Sequence, residues 1–171
     1  VVLLVGTLAL GITYPFEPRH ITFMNIFLVT MPTIMWTLFP PSPTHRINPK
    51  RFWKDTLLAV MPIAILSGVV VLAAYALLRA MHPDNLPGVA TTTVVIATFF
   101  GIYLVFLASK MLNVVYDRSA KLARALYILA ALFVASISFG FGFTRDFFDF
   151  TGPTWQNSWP ILLLMVNVAL L

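Results

Sequence analysis

The chain has 171 residues, of which 60% are apolar and 10% are charged. Soluble domains are about 45–50% apolar and about 25% charged, so this chain has too few charged side chains to cover a water-exposed surface. Lipid is therefore the predicted solvent. The absence of cysteine excludes disulfides, thiolate metal sites and cysteine nucleophiles. The net charge of +5 does not predict nucleic-acid binding, because the basic residues lie between apolar runs.

Six apolar segments follow one another along the chain, separated by charged or turn-forming residues. Four are long enough to cross about 30 Å of hydrocarbon, which takes about 20 helical residues. The first and last are shorter, and we expect them to be spans truncated at the chain ends. The sequence predicts an all-α, polytopic membrane helix bundle, a single transmembrane domain over residues 1–171. The predicted spans are 1–14, 20–39, 56–78, 90–109, 125–143 and 159–171.

The basic residues are divided unequally between alternate loops. Loops 40–55 and 110–124 together hold eight Lys and Arg residues, whereas the other side has three, namely Arg19, Arg79 and Arg145. Cytoplasmic loops carry the excess of basic residues in membrane proteins. We therefore predict a multi-pass protein of the cell membrane in which these two loops are cytoplasmic.

Segment 20–39 is the most polar of the predicted spans. At 100° per residue, five of its oxygen-bearing side chains fall within an arc of about 140°, and the opposite side is apolar. These five side chains, which we call the polar face, belong to Thr22, Asn25, Thr30, Thr33 and Thr37.

Pro32 lies within the same segment and donates no backbone hydrogen bond. Its ring also opposes the carbonyl of residue 28, so carbonyls near Leu28 and Val29 are expected to be partly freed. Hard cations take several oxygen ligands, and such carbonyls beside Asn and Thr oxygens could supply them. The alternative is a purely structural role, in which the Thr hydroxyls bond to their own helix and the proline only kinks it. The candidate ion-pathway residues are Thr22, Asn25, Thr30, Pro32 and Thr33.

The run Pro15-Phe16-Glu17-Pro18-Arg19-His20-Ile21-Thr22 leads into this segment and is followed by Asn25, Thr30-Met31-Pro32 and Leu38-Phe39-Pro40-Pro41. These residues resemble the short outer turn and sixth transmembrane helix of cation-transporting P-type ATPases. Within that family they look closest to the bacterial calcium-pump-like branch found in actinobacteria. Beyond this stretch the resemblance is one of helix layout only. It implies a chain running from the end of helix five to helix ten, with N-terminal helices and cytoplasmic domains outside it.

The resemblance carries over to two candidate residues and departs at three other positions. Asn25 matches an asparagine that contributes a cation ligand, so it is the candidate metal ligand, and Pro32 matches the proline of an unwound block. The implied cargo is calcium or another divalent cation, with ATP and Mg²⁺ used by the parent protein. However, Val29 occupies the position where the family has its ligand aspartate. Leu28 likewise replaces a neighbouring threonine of the family, and Thr30 replaces a glycine. The identity of the cation therefore stays open.

The chain by itself is not expected to hydrolyse ATP. It has no phosphate-cradling glycine loop and no Asp-Lys-Thr-Gly-Thr phosphorylation motif, so we predict no catalytic residue and no cofactor within it. His20, His45 and His82 are too dispersed to predict a zinc site. The alternative function is a non-enzymatic membrane module, such as a secondary transporter fragment or a structural helix bundle. A phosphorylation motif upstream of Val1 would favour the pump.

Overall fold

A computed structural model of the chain describes residues 1–40, 42–43, 50–111, 114–115, 118–151 and 159. Within these residues the regular secondary structure is helical apart from one pairing of two-residue strands. The helices are α1 (Val2–Ala9), α2 (Pro18–Asn25), α3 (Met31–Leu38), α4 (Phe52–Met81), α5 (Leu86–Met111), α6 (Arg118–Gly140) and α7 (Gly142–Phe147). A π-helical segment (Ile26–Thr30) joins α2 to α3, and the strands are β1 (Ser42–Pro43) and β2 (Val114–Val115).

Four helical stretches are long and apolar enough to cross a membrane. This confirms the predicted all-α fold with four complete spans, and the protein is a membrane protein. The predicted segment 159–171 lies outside the described residues except for Trp159. The four stretches are Pro18–Leu38, Thr56–Met81, Leu86–Val105 and Lys121–Gly140.

Helix α1 is shorter than the predicted segment 1–14. It ends at Ala9, and Gly11 takes a left-handed backbone conformation with φ 63°. The N–H of Ile12 donates to the carbonyl of Thr7 at 3.0 Å. This is a glycine-terminated helix cap, in which the bonds reach back to the last helical carbonyls and the chain leaves the helix axis.

Helix α6 also ends before the predicted boundary of segment 125–143. Its last residue is Gly140, and Phe141 has an extended backbone with φ −96° and ψ 130°. The chain then turns into the short helix α7 from Gly142. An extended residue breaks the helical hydrogen-bond ladder, so the C-terminal end of this segment is two helices rather than one.

The two strands join the two loops that hold most of the basic residues. Their backbones pair in antiparallel fashion, with Ser42 opposite Val115 and Pro43 opposite Val114. Loops 40–55 and 110–124 therefore lie on the same side of the bundle, as the distribution of charge requires.

Single cysteines test which side of the membrane these loops occupy. The chain has no cysteine of its own, so one introduced thiol gives an unambiguous signal. We expect Asn48→Cys, which lies outside the described residues, to react with an impermeant maleimide only from the cytoplasm. Asp84→Cys, in the exposed turn between α4 and α5, is the matched control and should react only from outside. The opposite pattern would reverse the orientation.

Helix α5 is at the centre of the bundle and is the most buried of the four spans. Val94, Val95 and Ile102 have no exposed surface. Thr92, Thr93 and Thr98 are buried and donate their hydroxyls to carbonyls four residues earlier in the helix. Buried Thr91 instead accepts the backbone N–H of Thr151 at 3.1 Å. These four threonines therefore have structural partners within the bundle.

Helix α6 packs one face of small side chains against α3 and the core. Ala123, Ala131 and Ala135 are buried and recur at multiples of four residues, as one helix face requires. Tyr127 falls in the same row, so it is the one large side chain among them. Small residues allow helices in a membrane to approach closely. The row therefore brings the hydroxyl of Tyr127 near the backbone of a neighbouring helix.

Candidate functional site

The polar face lies on the exposed side of the α2–α3 span. Thr22, Asn25, Thr30, Thr33 and Thr37 are all exposed in the described structure. The opposite side of the span packs on α5 and α6 through buried side chains. These are Phe23, Phe27, Pro32 and Met35. Four of the five candidate residues are thus on one face, and Pro32 is on the other.

The side chains of the polar face differ in their hydrogen bonding. The hydroxyl of Thr22 donates to the carbonyl of Pro18 at 3.0 Å, and that of Thr37 to the carbonyl of Thr33 at 2.7 Å. These two threonines therefore fit the structural alternative, in which Thr hydroxyls bond to carbonyls of their own helix. In the described part of the chain, the side chain of Asn25 makes no hydrogen bond. Asn25 is therefore the strongest remaining candidate for an external ligand.

The depth of Asn25 makes this unmet hydrogen bonding significant. It lies three residues from the centre of the Pro18–Leu38 span, a distance of about 4.5 Å along the helix. An amide that faces hydrocarbon without a hydrogen bond costs several kcal/mol on apolar transfer scales, about 4 or more. Polar side chains within spans accordingly face other helices or aqueous cavities. The polar face thus favours water, a cation or a polar helix as its neighbour over acyl chains.

The backbone next to Pro32 departs from α-helical spacing. The N–H of Met31 donates to the carbonyl of Ile26, five residues earlier, as the π-helical segment requires. In this spacing the next donor would be Pro32, which has no N–H and leaves the carbonyl of Phe27 without a backbone partner. The sequence-based expectation, which assumed α-helical spacing, placed the freed carbonyls at Leu28 and Val29. With the π spacing, the missing N–H of Pro32 affects the carbonyl of Phe27.

The freed carbonyl of Phe27 is occupied from a neighbouring helix. The hydroxyl of Tyr127 donates to it at 2.7 Å, and this hydrogen bond is buried. Phe27 is itself only 1% exposed, so its carbonyl is enclosed on the core side and does not join the polar face. The expectation that freed carbonyls lie beside the Asn and Thr oxygens is therefore not met at Phe27. Sequence reasoning missed Tyr127, although a tyrosine hydroxyl in an apolar span signals a polar partner.

A second contact, from α5, holds the π-helical segment in place. The side chain of Leu28 lies directly over Gly101, where an added Cβ would be 2.6 Å from the Leu28 Cδ2 atom. Only a residue without a side chain allows this approach. The π-helical segment is thus fixed on two sides, by a hydrogen bond from α6 and by close packing on α5.

The polar face carries no charge of its own. Val29 is 57% exposed and contributes no carboxylate at the position where the resembling pumps have an aspartate. Across the described residues, no group of three or more His, Cys, Asp or Glu side chains could hold a metal ion. A divalent cation at Asn25 would therefore need anionic ligands from elements outside the described structure.

Comparisons with known proteins add no family assignment. No protein-family model matches the chain, and neither a curated protein nor a solved structure matches it. The functional interpretation therefore depends on the residues of the α2–α3 span and their geometry.

Proposed function

We propose that this chain is the membrane domain of a cation-translocating P-type ATPase and that the α2–α3 span contributes to the ion pathway. In this proposal the phosphorylation and ATP-binding domains, with ATP and Mg²⁺, belong to the parent protein outside this chain. The chain itself provides spans in the cell membrane and part of the route across it. Calcium or another divalent cation is the proposed cargo.

The observation that carries this proposal is the exposed polar face near the middle of a membrane span. Asn25 presents an amide with no hydrogen bond in the described structure. Thr30 and Thr33 add hydroxyl oxygens on the same exposed side. Hard cations prefer such neutral oxygens together with carboxylates. The face has ligand atoms that the bundle itself leaves unused, which suits a passage lined partly by other helices.

The interrupted helix supports the same proposal. In transporters, ion sites lie near the midplane where a span is discontinuous. Here the π-helical segment spans Ile26–Thr30, adjoining Asn25 and including Thr30. The segment is packed on two helices, so the position of the polar face is fixed relative to α5 and α6.

The exposed Val29 specifically favours the second candidate, a non-enzymatic membrane module. Without a carboxylate in this span, cation binding depends entirely on other elements. The sequence upstream of Val1 distinguishes the two candidates. An Asp-Lys-Thr-Gly-Thr motif there supports the pump, and a complete protein without it supports the module.

Replacing Asn25 by Ala in the complete protein tests the proposed ion pathway. We expect the apparent affinity for the activating cation to fall about tenfold or more, because one ligand of the site is removed. Cation-stimulated ATP hydrolysis in membrane vesicles, measured over a cation titration, gives this affinity.

The matched control for this experiment is Thr37→Val. Thr37 is on the same polar face, but its hydroxyl is already bonded to the carbonyl of Thr33 within the helix. The control should therefore leave the cation affinity unchanged. If Asn25→Ala also leaves it unchanged while the pump remains active, Asn25 is not a ligand.

A further inference from the structure

A cavity of about 260 Å³, lined by apolar and charged side chains, lies at the end of the bundle opposite the paired loops. Its walls come from four stretches of the chain that are distant in sequence. These are the turn before α2, the last turns of α4, the first turn of α5 and the turn after α7. Three membrane spans begin or end at this level, so the cavity is at the depth of the lipid headgroups.

The floor of the cavity holds a cation that has no carboxylate partner. The guanidinium of Arg79 donates to the hydroxyl of Tyr75 at 3.2 Å, and this hydroxyl donates to the carbonyl of Thr13 at 2.6 Å. The two bonds fix the position of the half-buried guanidinium. Arg79 makes no ion pair within the described residues. Its remaining N–H donors are available to an anion.

A second donor without a partner belongs to a residue of the same cavity wall. His20 is 97% buried, as its side chain is 3% exposed, and its Nδ1 accepts the backbone N–H of Glu17 at 3.2 Å. A neutral imidazole that accepts at Nδ1 carries its proton on Nε2. That Nε2 is buried and has no hydrogen-bond partner in the described structure. This nitrogen has no accessible surface, so it lies behind the cavity wall, and the donors offered to a ligand are those of Arg79.

The rim of the cavity carries the opposite charge. Glu17 and Asp149 line it, and both are exposed. Asp149 has a left-handed backbone with φ 58°, which places it in a tight turn after α7. The cavity thus combines a cationic floor with an anionic rim, and no ion pair joins the two within the described residues. A ligand with one group of each sign would complement both.

We propose that this cavity binds a phosphate joined to a primary ammonium, as in phosphoethanolamine. The phosphate contacts the guanidinium of Arg79, because planar Arg donors match phosphate oxygens. The ammonium lies at the rim, where the carboxylates of Glu17 and Asp149 accept its hydrogen bonds. The group is either the headgroup of a phospholipid or the free molecule. This site is separate from the polar face and does not depend on cation transport.

The test measures lipid binding by the complete protein in detergent, using native mass spectrometry during titration with dioleoylphosphatidylethanolamine. We expect Arg79→Gln to weaken binding about tenfold or more, as charge-assisted hydrogen bonds are lost. Arg79→Lys keeps the charge without the planar donors, so its lipid affinity should lie between those of the wild type and Arg79→Gln. Dioleoylphosphatidylglycerol, which has no ammonium, should bind more weakly than the ethanolamine lipid. If soluble phosphoethanolamine displaces the ethanolamine lipid, the headgroup alone is sufficient for binding. If it does not, the intact lipid is the ligand.

Two rim variants control for folding and for general charge effects. Asp149→Asn should weaken binding without unfolding the turn, because Asn also tolerates the left-handed conformation. Asp146→Asn removes a charge from the same end of the bundle, at a side chain that is 80% exposed and outside the cavity. It should bind lipid as the wild type does. Equal lipid affinity of the wild type, Arg79→Gln and Asp149→Asn, or equal binding of the two lipids, overturns the proposal.

Discussion

Replacing Phe23 by Ala is expected to destabilise the folded bundle by about 3 kcal/mol, near the lower end for Phe→Ala in a core. Phe23 is 1% exposed, and its ring centroid lies 4.8 Å from that of Phe27, 5.2 Å from that of Phe148 and 5.0 Å from that of Phe150. The last two belong to the turn after α7, so this cluster attaches that turn to α2. Truncation would remove the shared contacts and leave a cavity.

The expected loss of stability for Phe23→Ala is at the lower end of the range for Phe→Ala because lipid is itself apolar. Transfer from water contributes less to helix association in a bilayer than packing does. The free energy of unfolding in mixed micelles, followed by circular dichroism during titration with a denaturing detergent, measures the effect. Phe143→Ala is the control, since Phe143 is 83% exposed and should change stability by under about 0.5 kcal/mol. Equal effects of the two substitutions would show that the cluster does not stabilise the bundle.

Replacing Tyr127 by Phe is expected to cost about 1–3 kcal/mol, because it leaves the buried carbonyl of Phe27 without a hydrogen bond. The substitution removes one oxygen atom and keeps the ring. Pro32 offers no N–H, so the carbonyl cannot recover a partner while the π spacing persists. The same unfolding titration gives the loss of stability.

An infrared measurement separates this loss from a general packing defect. With an isotope-labelled carbonyl at Phe27, the amide I band should shift to higher frequency in the Tyr127→Phe variant. Tyr103→Phe is the control, because the hydroxyl of Tyr103 makes no hydrogen bond in the described part of the chain. It should change neither the band nor the stability. An unshifted band in Tyr127→Phe would contradict the hydrogen bond.

The sequence was sufficient for the features set by composition and periodicity. Apolar length predicted the four spans, and the distribution of Lys and Arg predicted that loops 40–55 and 110–124 share a side. The 100° periodicity of the α2–α3 span also placed Asn25 and its neighbouring threonines on one face, and the structure shows that this face is exposed. These features depend on each segment alone, so no knowledge of its neighbours was needed.

Features that depend on contacts between segments were not predictable in the same way. The partner of the Phe27 carbonyl is 100 residues away in sequence, and only the packing of α6 identifies it as Tyr127. The close packing of Leu28 of the π-helical segment over Gly101 of α5 also joins residues that are distant in sequence. The cavity that includes Arg79 likewise combines four distant stretches. By contrast, the end of α1 could have been predicted from Gly11, because glycine favours this type of helix cap.

The most direct test of the proposed ion pathway is the water accessibility of Asn25 in the complete protein. The proposed pathway places the polar face along an aqueous path, so a cysteine at this position should react with a charged thiosulfonate reagent. The transported cation should slow the reaction. Leu66→Cys is the comparison, since Leu66 is 60% exposed on the apolar surface of α4 and should react slowly with or without the cation. If Asn25→Cys is as unreactive as Leu66→Cys and insensitive to every cation tested, the polar face does not line an ion pathway.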